Sequence, residues 1–392
     1  MLAVGRSTVG TAAAGKLGRV SSLADLPIRD DLRGLTPYGA PELKVRVALN
    51  VNENTHPIPE DVARSIIEAV ALELRTVNRY PDREFLKLRD SLAGYLNATL
   101  VEESATAGLP FAELTRDNIW AANGSNEILQ QILQAFGGPG RSVLGFPPTY
   151  SMHPIIAAGT GTEWIAGVRD ENFEISPQTA VDWVERTNPD LVFFCAPNNP
   201  TGTPLSLETI AAAYDATDKI VVVDEAYAEF GPSGEPTALS LLDGRPRLIV
   251  SRTMSKAFAF AGARLGYLAA DPAISDALRL VRLPYHLSAL TQAAASAALA
   301  HAPEMLAMVD DIKSQRDRMA KRLAELGYSP SESTSNFILF GGVPDPHRMF
   351  EQLLEREIII RDLGIPNHLR VSAGTEAETT AFLEAMDEIT PR

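Results

Sequence analysis

The chain has 392 residues, of which 45% are hydrophobic and 22% are charged, and its formal net charge is -15 at pH 7. Such a chain can hold two domains around a large apolar core, and its composition is ordinary for a globular enzyme. The acidic charge argues against a nucleic-acid or anionic-membrane partner, and no apolar run approaches the length of a bilayer span. Cys195 is the single cysteine, which excludes an intrachain disulfide and a cysteine metal cluster, and we predict no metal site.

The N-terminal segment differs in composition from the rest of the chain. Its first 24 residues contain Arg6, Lys16 and Arg19 together with several serines and threonines, but no acidic residue. This composition resembles a transit peptide, and it also suits a disordered extension or an early start codon. Because no long apolar core of a secretory signal is present, we favour a dispensable, flexible extension over residues 1–34 of a cytoplasmic protein.

Two helices are predicted in the first part of the chain. The first covers residues 57–71, where a proline stands near the start and apolar residues such as Val62 and Ile66 share one face. The second follows Gly124-Ser125, since apolar residues recur at helical spacing beyond this pair. A helix that starts at Gly-Ser leaves backbone N–H groups free at its positive dipole end, which suits a phosphate.

Three short apolar runs in the middle of the chain predict parallel strands, each of which leads into a polar side chain. These side chains are Asn199, Asp224 and Lys256. Because open α/β sheets bind ligands at the carboxyl ends of their strands, we expect the three side chains to face one crevice. The strands are predicted at residues 191–195, 220–223 and 248–250.

The last third of the chain predicts one long helical stretch and two strands. The helical stretch begins with the Ala-rich segment at Ser288, continues in apolar residues at helical spacing, and stops near Gly327. The strands are predicted at residues 336–340 and 357–360.

Lys256 stands in a sequence environment that is typical of a cofactor-binding lysine. Thr253 and Ser255 place two hydroxyls beside it, and Arg264 follows eight residues later. A lysine that forms a Schiff base with pyridoxal phosphate needs such neighbours, because hydroxyls and a cation bind the phosphate. A surface cluster of polar residues would explain this motif alone, but not together with the other strand ends.

The chemistry of pyridoxal phosphate gives the other side chains their predicted roles. Asp224 is the candidate carboxylate that keeps the ring nitrogen of the cofactor protonated. Asn199 and Tyr227 are placed to donate to its phenolic oxygen. Lys256, once the substrate amine has released it, can move a proton between the substrate carbon and the cofactor carbon.

These motifs resemble the signature of the fold-type I, class I and II aminotransferases, and the resemblance extends from about residue 35 to the end. It implies an α/β fold, in which helices sandwich a mostly parallel sheet in a large domain beside a smaller α+β domain. It also implies an arm and part of the small domain at 35–77, a large cofactor-binding domain at 78–290 and a small C-terminal domain at 291–392. The motifs are Asn199-Pro-Thr-Gly202, Asp224-x-x-Tyr227, and Ser255-Lys256 with Arg264.

The same resemblance assigns further cofactor contacts. Gly124, Ser125 and Asn126 match the loop that binds the phosphate of pyridoxal 5'-phosphate, and Tyr150 matches the aromatic residue stacked on its ring. Tyr80 lies in a segment that resembles one reaching the phosphate in the neighbouring subunit. The resemblance therefore implies a homodimer with shared active sites.

Other segments resemble histidinol-phosphate aminotransferases in particular. The segments Leu35-Thr-Pro-Tyr38 and Leu49–Asn54 match the N-terminal part of these enzymes, and Arg361 and Arg370 match positions that bind substrate anions together with Tyr38. The implied reaction exchanges an amino group between histidinol phosphate and 2-oxoglutarate. Two arginines with fork geometry can bind both the phosphate and the carboxylate.

Three alternatives remain open from the sequence. A decarboxylase of threonine phosphate and an aromatic amino-acid aminotransferase would share the cofactor motifs. A transcription regulator with an aminotransferase-like module would need a DNA-binding domain, for which the segment before Leu35 is too short. His56, His153 and His286 lie near the motif loops, and we interpret them as satisfied or solvent-facing histidines rather than as imidazole-recognition groups.

Overall fold

The structure, a computed structural model, describes residues 22–34, 39, 43–108 and 110–390. The chain divides into two units, with the boundary between Gly39 and Ala40. The described part of the first unit contains two short 3-10 helical turns, Leu23–Asp25 and Asp30–Leu32. The second unit contains the α-helices and β-strands of the described chain.

The described residues form eleven α-helices and twelve β-strands. The helices are α1 (Glu60–Leu74), α2 (Leu86–Ala107), α3 (Ser125–Phe136), α4 (Met152–Thr160), α5 (Pro177–Thr187), α6 (Leu207–Asp215), α7 (Pro272–Val281), α8 (Ala289–Leu299), α9 (Ala302–Glu325), α10 (Pro346–Leu354) and α11 (Glu376–Ile389). The strands are β1 (Val47–Ala48), β2 (Ile119–Ala122), β3 (Ser142–Gly145), β4 (Glu163–Ala166), β5 (Leu191–Cys195), β6 (Ile220–Asp224), β7 (Leu248–Thr253), β8 (Gly266–Ala270), β9 (Ser329–Pro330), β10 (Phe337–Gly341), β11 (Ile358–Ile359) and β12 (Leu369–Ser372).

A seven-stranded sheet forms the centre of the second unit, in the order β2-β8-β7-β6-β5-β3-β4. The strands from β7 to β4 are parallel to one another, while β8 is antiparallel to both of its neighbours. Every residue of β2, β5, β7 and β8 is buried, so both faces of the sheet are covered. Helix α3 packs against β2, β7 and β8, and α6 packs against β6. The predicted α/β fold with a mostly parallel sheet is confirmed.

Two smaller sheets contain the strands from the two ends of the second unit. β1 pairs in parallel with β11, and β10 pairs antiparallel with both β9 and β12. Strands from before residue 78 and after residue 290 therefore lie together, which agrees with the idea of one small domain. The predicted division of the chain into domains at 35–77, 78–290 and 291–392 stays a prediction.

Some predicted boundaries differ from those in the structure. Helix α1 begins at Glu60 rather than at residue 57, because Pro57 and Pro59 precede it and Pro59 has an extended ψ of 140°. The helical stretch after Ser288 is broken between α8 and α9, and Pro303 stands in the first turn of α9. No helix in the described part of the chain is both long enough and apolar enough to cross a membrane.

Candidate active site

The carboxyl ends of β5, β6 and β7 meet at one edge of the central sheet. These strands are adjacent and parallel, and Asp224 at the end of β6 pairs with Cys195 on one side and Ser251 on the other. Asn199 lies in the turn after β5, and Lys256 follows β7 by three residues. Asn199, Asp224 and Lys256 therefore stand at or just after the carboxyl ends of three neighbouring parallel strands, and their roles in one site stay predictions.

The amine of Lys256 lies in a partly buried environment close to two arginines. Its Nζ donates a hydrogen bond to the carbonyl of Val51 at 3.2 Å. Burial, together with the positive charges of Arg370 and Arg264, lowers the pKa of Lys256 to about 8, while the negative charge of Glu53 opposes this shift. A larger fraction of this amine is neutral near pH 7 than for an exposed lysine, which favours attack on an aldehyde.

A cradle formed by Gly124, Ser125, Asn126 and Arg264 lies at the start of α3. Gly124 precedes this helix with φ +85°, and a Cβ built there would be 2.5 Å from Nη2 of Arg264. A Cβ on Gly266 would be 2.2 Å from the backbone nitrogen of Ser125, so both glycines are required by close approach. Among the described residues, no backbone acceptor takes the N–H groups of Ser125 or Asn126. Free N–H groups, a helix dipole and a guanidinium together suit a phosphate.

Two hydroxyl side chains lie at the end of β7, before Lys256. Thr253 Oγ1 lies 3.0 Å from Ser255 Oγ and accepts a hydrogen bond from the Ser255 backbone nitrogen at 3.1 Å. Both residues are buried. The local turn therefore holds both hydroxyls beside the lysine, as the predicted phosphate site requires.

Asp224 is a buried carboxylate that contacts one hydroxyl and one imidazole. It is 1% exposed, and its Oδ1 accepts a hydrogen bond from the Ser251 hydroxyl at 3.1 Å. Its Oδ2 lies 3.1 Å from Nε2 of His153. No lysine or arginine forms an ion pair with Asp224 among the described residues. A buried carboxylate without a lysine or arginine partner is costly, and the protonated ring nitrogen of pyridoxal phosphate would offset that cost.

A hydrogen-bond network connects Tyr227 to the C-terminal strands. The Tyr227 hydroxyl oxygen accepts from Nδ2 of Asn52 at 3.0 Å and from Nδ2 of Asn199 at 3.3 Å. Arg370 donates to Oδ1 of Asn199 at 2.6 Å and to the carbonyl of Asn50 at 2.9 Å. A guanidinium can only donate, so Arg370 fixes which end of the Asn199 amide faces Tyr227.

The orientation of this network determines what Tyr227 can do. Because two amide groups donate to its oxygen, the hydroxyl hydrogen of Tyr227 remains available to donate, and no described residue accepts it. Burial raises the pKa of Tyr227 above its ordinary value, so this hydrogen is retained at neutral pH. The site thus presents an O–H group that could donate a hydrogen bond to a phenolate oxygen.

The two predicted substrate arginines lie opposite each other. Arg361 and Arg370 exchange two backbone hydrogen bonds of 2.9 Å in an antiparallel bridge. Directly opposed residues project from the same face of such a pair, so both guanidiniums belong to one face. Arg370 is buried, with its guanidinium carbon 5.1 Å from the centre of the Phe337 ring. Tyr38, the third predicted substrate residue, lies outside the described residues.

The two predicted tyrosines of the cofactor site have different surroundings. Tyr150 donates to Oδ1 of Asn126 at 3.1 Å and packs edge-on against His153, so it is linked to both the cradle and Asp224. Tyr80 is 79% exposed and stacks on Tyr285 with a centroid separation of 4.5 Å. No hydrogen bond in the described part of this chain links Tyr80 to the other predicted site residues.

Comparison with known proteins identifies the family. The family model for class I and II aminotransferases matches residues 44–386. The chain belongs to the class I and II aminotransferase family. It is 57% identical over 374 residues to histidinol-phosphate aminotransferase of Paenarthrobacter aurescens, covering 95% of this chain and 97% of the relative.

Two further comparisons agree with this family membership. The chain is 52% identical over 374 residues to histidinol-phosphate aminotransferase of Mycolicibacterium smegmatis, covering 94% of each chain. Among solved structures, histidinol-phosphate aminotransferase from Sinorhizobium meliloti in complex with pyridoxal-5'-phosphate has a TM-score of 0.80 at 25% identity, covering 93% of this chain and 97% of that chain. The similarity extends over nearly the whole aminotransferase.

Sequence reasoning missed three polar neighbours of the aminotransferase site. His153 and Ser251 contact Asp224, and Asn52 contacts Tyr227. The signal for Ser251 is its register opposite Asp224, and His153 stands only three residues after Tyr150. His56 and His286 have partners elsewhere, at 3.0 Å from Asp311 and 2.9 Å from the Ala121 carbonyl.

Proposed function

We propose that this aminotransferase exchanges an amino group between L-histidinol phosphate and 2-oxoglutarate, giving imidazole acetol phosphate and L-glutamate in histidine biosynthesis. The near-full-length similarity to histidinol-phosphate aminotransferases carries this choice of substrate. The facing pair of Arg361 and Arg370 supports it, since both half-reactions bring an anionic substrate. Tyr38 is a further proposed substrate residue on its sequence match alone.

Pyridoxal 5'-phosphate is the proposed cofactor, and when bound it supplies an electron sink for the amine-bearing carbon of the substrate. Lys256 would hold the cofactor and later carry the proton taken from that carbon. The cradle of Gly124, Ser125, Asn126 and Arg264 would bind the phosphate, aided by the hydroxyls of Thr253 and Ser255. This role agrees with the free N–H groups at the start of α3.

The remaining cofactor contacts follow from hydrogen-bond donors and charge. Asp224 would face the ring nitrogen, with His153 and Ser251 orienting its two oxygens. Tyr227 would donate its free hydroxyl hydrogen to the phenolic oxygen, beside Asn199. Tyr150 would cover the ring. These side chains would orient the cofactor and keep its nitrogen protonated without themselves transferring the substrate proton.

We further propose that the enzyme is a cytoplasmic homodimer in which Tyr80 contacts the cofactor phosphate of the neighbouring subunit. Tyr80 lies beside a group of exposed apolar side chains that a partner subunit would cover. Leu280 is 86% exposed and Leu283 is 75% exposed, and Tyr285 stacks directly on Tyr80. Apolar side chains so fully exposed and close together are typical of an interface.

Replacing Leu283 with aspartate is expected to weaken this dimer, because the charge would have to be buried without a partner. The dimer dissociation constant should rise by at least about tenfold, which corresponds to roughly 1.4 kcal/mol. Analytical ultracentrifugation would measure it. Val101→Asp on α2, another exposed apolar position, is the matched control and should leave association unchanged. A wild-type protein that sediments as a monomer would rule the dimer out.

The reaction itself can be tested one half at a time. Purified yellow protein is mixed with L-histidinol phosphate without an acceptor, and its visible spectrum is followed. We expect conversion to the pyridoxamine form, reversed by 2-oxoglutarate. Conversion by phenylalanine but not by histidinol phosphate would indicate an aromatic aminotransferase. Release of CO2 from threonine phosphate with an unchanged final spectrum would indicate the decarboxylase.

A further inference from the structure

Arg169 joins three separate segments of the chain near the candidate site. It follows β4, and its Nε donates to the carbonyl of Phe146 at 2.8 Å. Nη1 donates to the carbonyl of Phe173 at 3.0 Å, and Nη2 donates to Oδ1 of Asn198 at 2.9 Å. All three acceptors are neutral, and within the described ranges no carboxylate forms an ion pair with Arg169.

The surroundings of Arg169 are unfavourable for its positive charge, and its hydrogen bonds compensate for this cost. Burial lowers the pKa of Arg169 to about 10, which means that the surroundings disfavour its positive charge. Three divergent hydrogen bonds from one rigid, planar group offset that cost. A lysine donates from one nitrogen only, so it cannot reach three acceptors that lie on different segments in the same way.

Arg169 also determines the orientation of the Asn198 side chain. Because a guanidinium only donates, the Asn198 oxygen must face it, and the amide nitrogen must point away. That nitrogen donates to the carbonyl of Pro148 at 3.0 Å and to Oγ1 of Thr201 at 2.8 Å. The Asn198 amide therefore connects the loop after β3 to the turn after β5, in an orientation set by Arg169.

The two connected segments carry side chains of the candidate site. Tyr150 stands two residues after Pro148 and contacts Asn126 in the cradle. Asn199 is the next residue after Asn198 and contacts Tyr227. A shift of either segment would therefore move Tyr150 and Asn199 relative to each other.

We propose that Arg169 is a positioning residue for amino transfer, which acts through the Asn198 amide to hold Tyr150 and Asn199 in register on the two sides of the cofactor. The proposal rests on the proposed function of Tyr150 and Asn199. A displacement of about 1 Å in an active site can lower a rate by about 100-fold, so a remote clamp of this kind has a measurable kinetic effect.

The first test is Arg169→Met, which keeps an unbranched apolar stem and removes all three hydrogen bonds. We expect kcat to fall at least tenfold with glutamate and with histidinol phosphate, since both half-reactions use the same site. Amide exchange in the cofactor-free protein should quicken at residues 149–151 and 198–203. The matched control is Arg186→Met, since Arg186 stacks on Trp183 in α5 and contacts no site residue. It should change neither measurement.

Asn198→Asp separates positioning from general stability. Its carboxylate can still accept from Arg169, and gains a charge partner, but it cannot donate to the Pro148 carbonyl. We expect a melting temperature at or above that of the wild type together with the same fall in kcat. A wild-type kcat in Asn198→Asp, or in a folded Arg169→Met, would overturn the proposal. Partial rescue by Arg169→Lys, with one hydrogen bond restored, would support it.

The same measurements distinguish this proposal from the proposed function. If the wild type exchanged no amine with glutamate, the proposed function would fail. Unchanged amide exchange in Arg169→Met would instead contradict the proposal that Arg169 holds the two segments in place. Faster exchange confined to residues 149–151 and 198–203 would establish the clamp independently of activity.

Discussion

Replacing Lys256 with alanine is expected to abolish the visible absorption of the lysine-linked cofactor and to lower amino transfer by more than about 1,000-fold. The reason is that, in the proposed function, one amine serves both as the covalent attachment and as the proton carrier. Its burial and its depressed pKa suit both roles, because the neutral form is accessible near pH 7. Absorption spectra of the purified variant and the rate of the glutamate half-reaction would measure the two losses.

A lysine distant from the site provides the control for this experiment. Lys321 is exposed on α9, and Lys321→Ala should keep both the absorption and the rate of the wild type. The retention of the same yellow chromophore in Lys256→Ala would contradict the central assignment of the site. Loss of the chromophore with retained rapid transfer would instead contradict the role of Lys256 as the proton carrier.

Replacing Arg370 with alanine is expected to weaken the binding of both substrates. The value of kcat/KM should fall by roughly 10- to 100-fold for histidinol phosphate and for 2-oxoglutarate alike. In the proposed function the two half-reactions share one anion site, so both substrates would lose the same charged donor. In addition, Asn199 loses the donor that orients its amide toward Tyr227, so kcat should also fall. Steady-state kinetics with each substrate varied in turn would separate the effects.

The control and the contrary outcome for Arg370 are equally specific. Arg348→Ala removes an exposed arginine at the start of α10 and should leave both kcat/KM values unchanged. If Arg370→Ala impaired one substrate only, the phosphate and the carboxylate would have separate sites. Arg361→Ala, which removes the opposing guanidinium, would then identify the residue that binds the other anion.

Local sequence patterns were sufficient for the parts of the fold that depend on local chemistry. Short apolar runs marked β5, β6 and β7, and Gly124-Ser125 marked the start of α3, because these preferences act over a few residues. The helix boundaries at Glu60 and between α8 and α9 were less accurate. At both places the apolar periodicity continues across the boundary, but a proline near it determines where the helix begins.

Some residues of the candidate site could be predicted from the sequence, and others became visible only in the structure. The motifs by themselves predicted Lys256, Asp224, Asn199 and Arg264 as site residues, since strand order and turn chemistry bring such residues to one edge of a parallel sheet. They could not identify His153 or Asn52 as partners of Asp224 and Tyr227, because a lone histidine or asparagine has no pattern.

The tertiary structure alone decided which polar groups pair across long distances in the chain. Asn52 reaches Tyr227 from 175 residues away, and Arg370 reaches Asn199 from 171 residues away. Sequence determined the candidate chemistry, because the types of residue that can bind an aldehyde, a phosphate or a carboxylate are few. The orientation of each polar side chain depends on which donor meets which acceptor after packing. The available hydroxyl hydrogen of Tyr227 and the three hydrogen bonds of Arg169 therefore exist only in the folded chain.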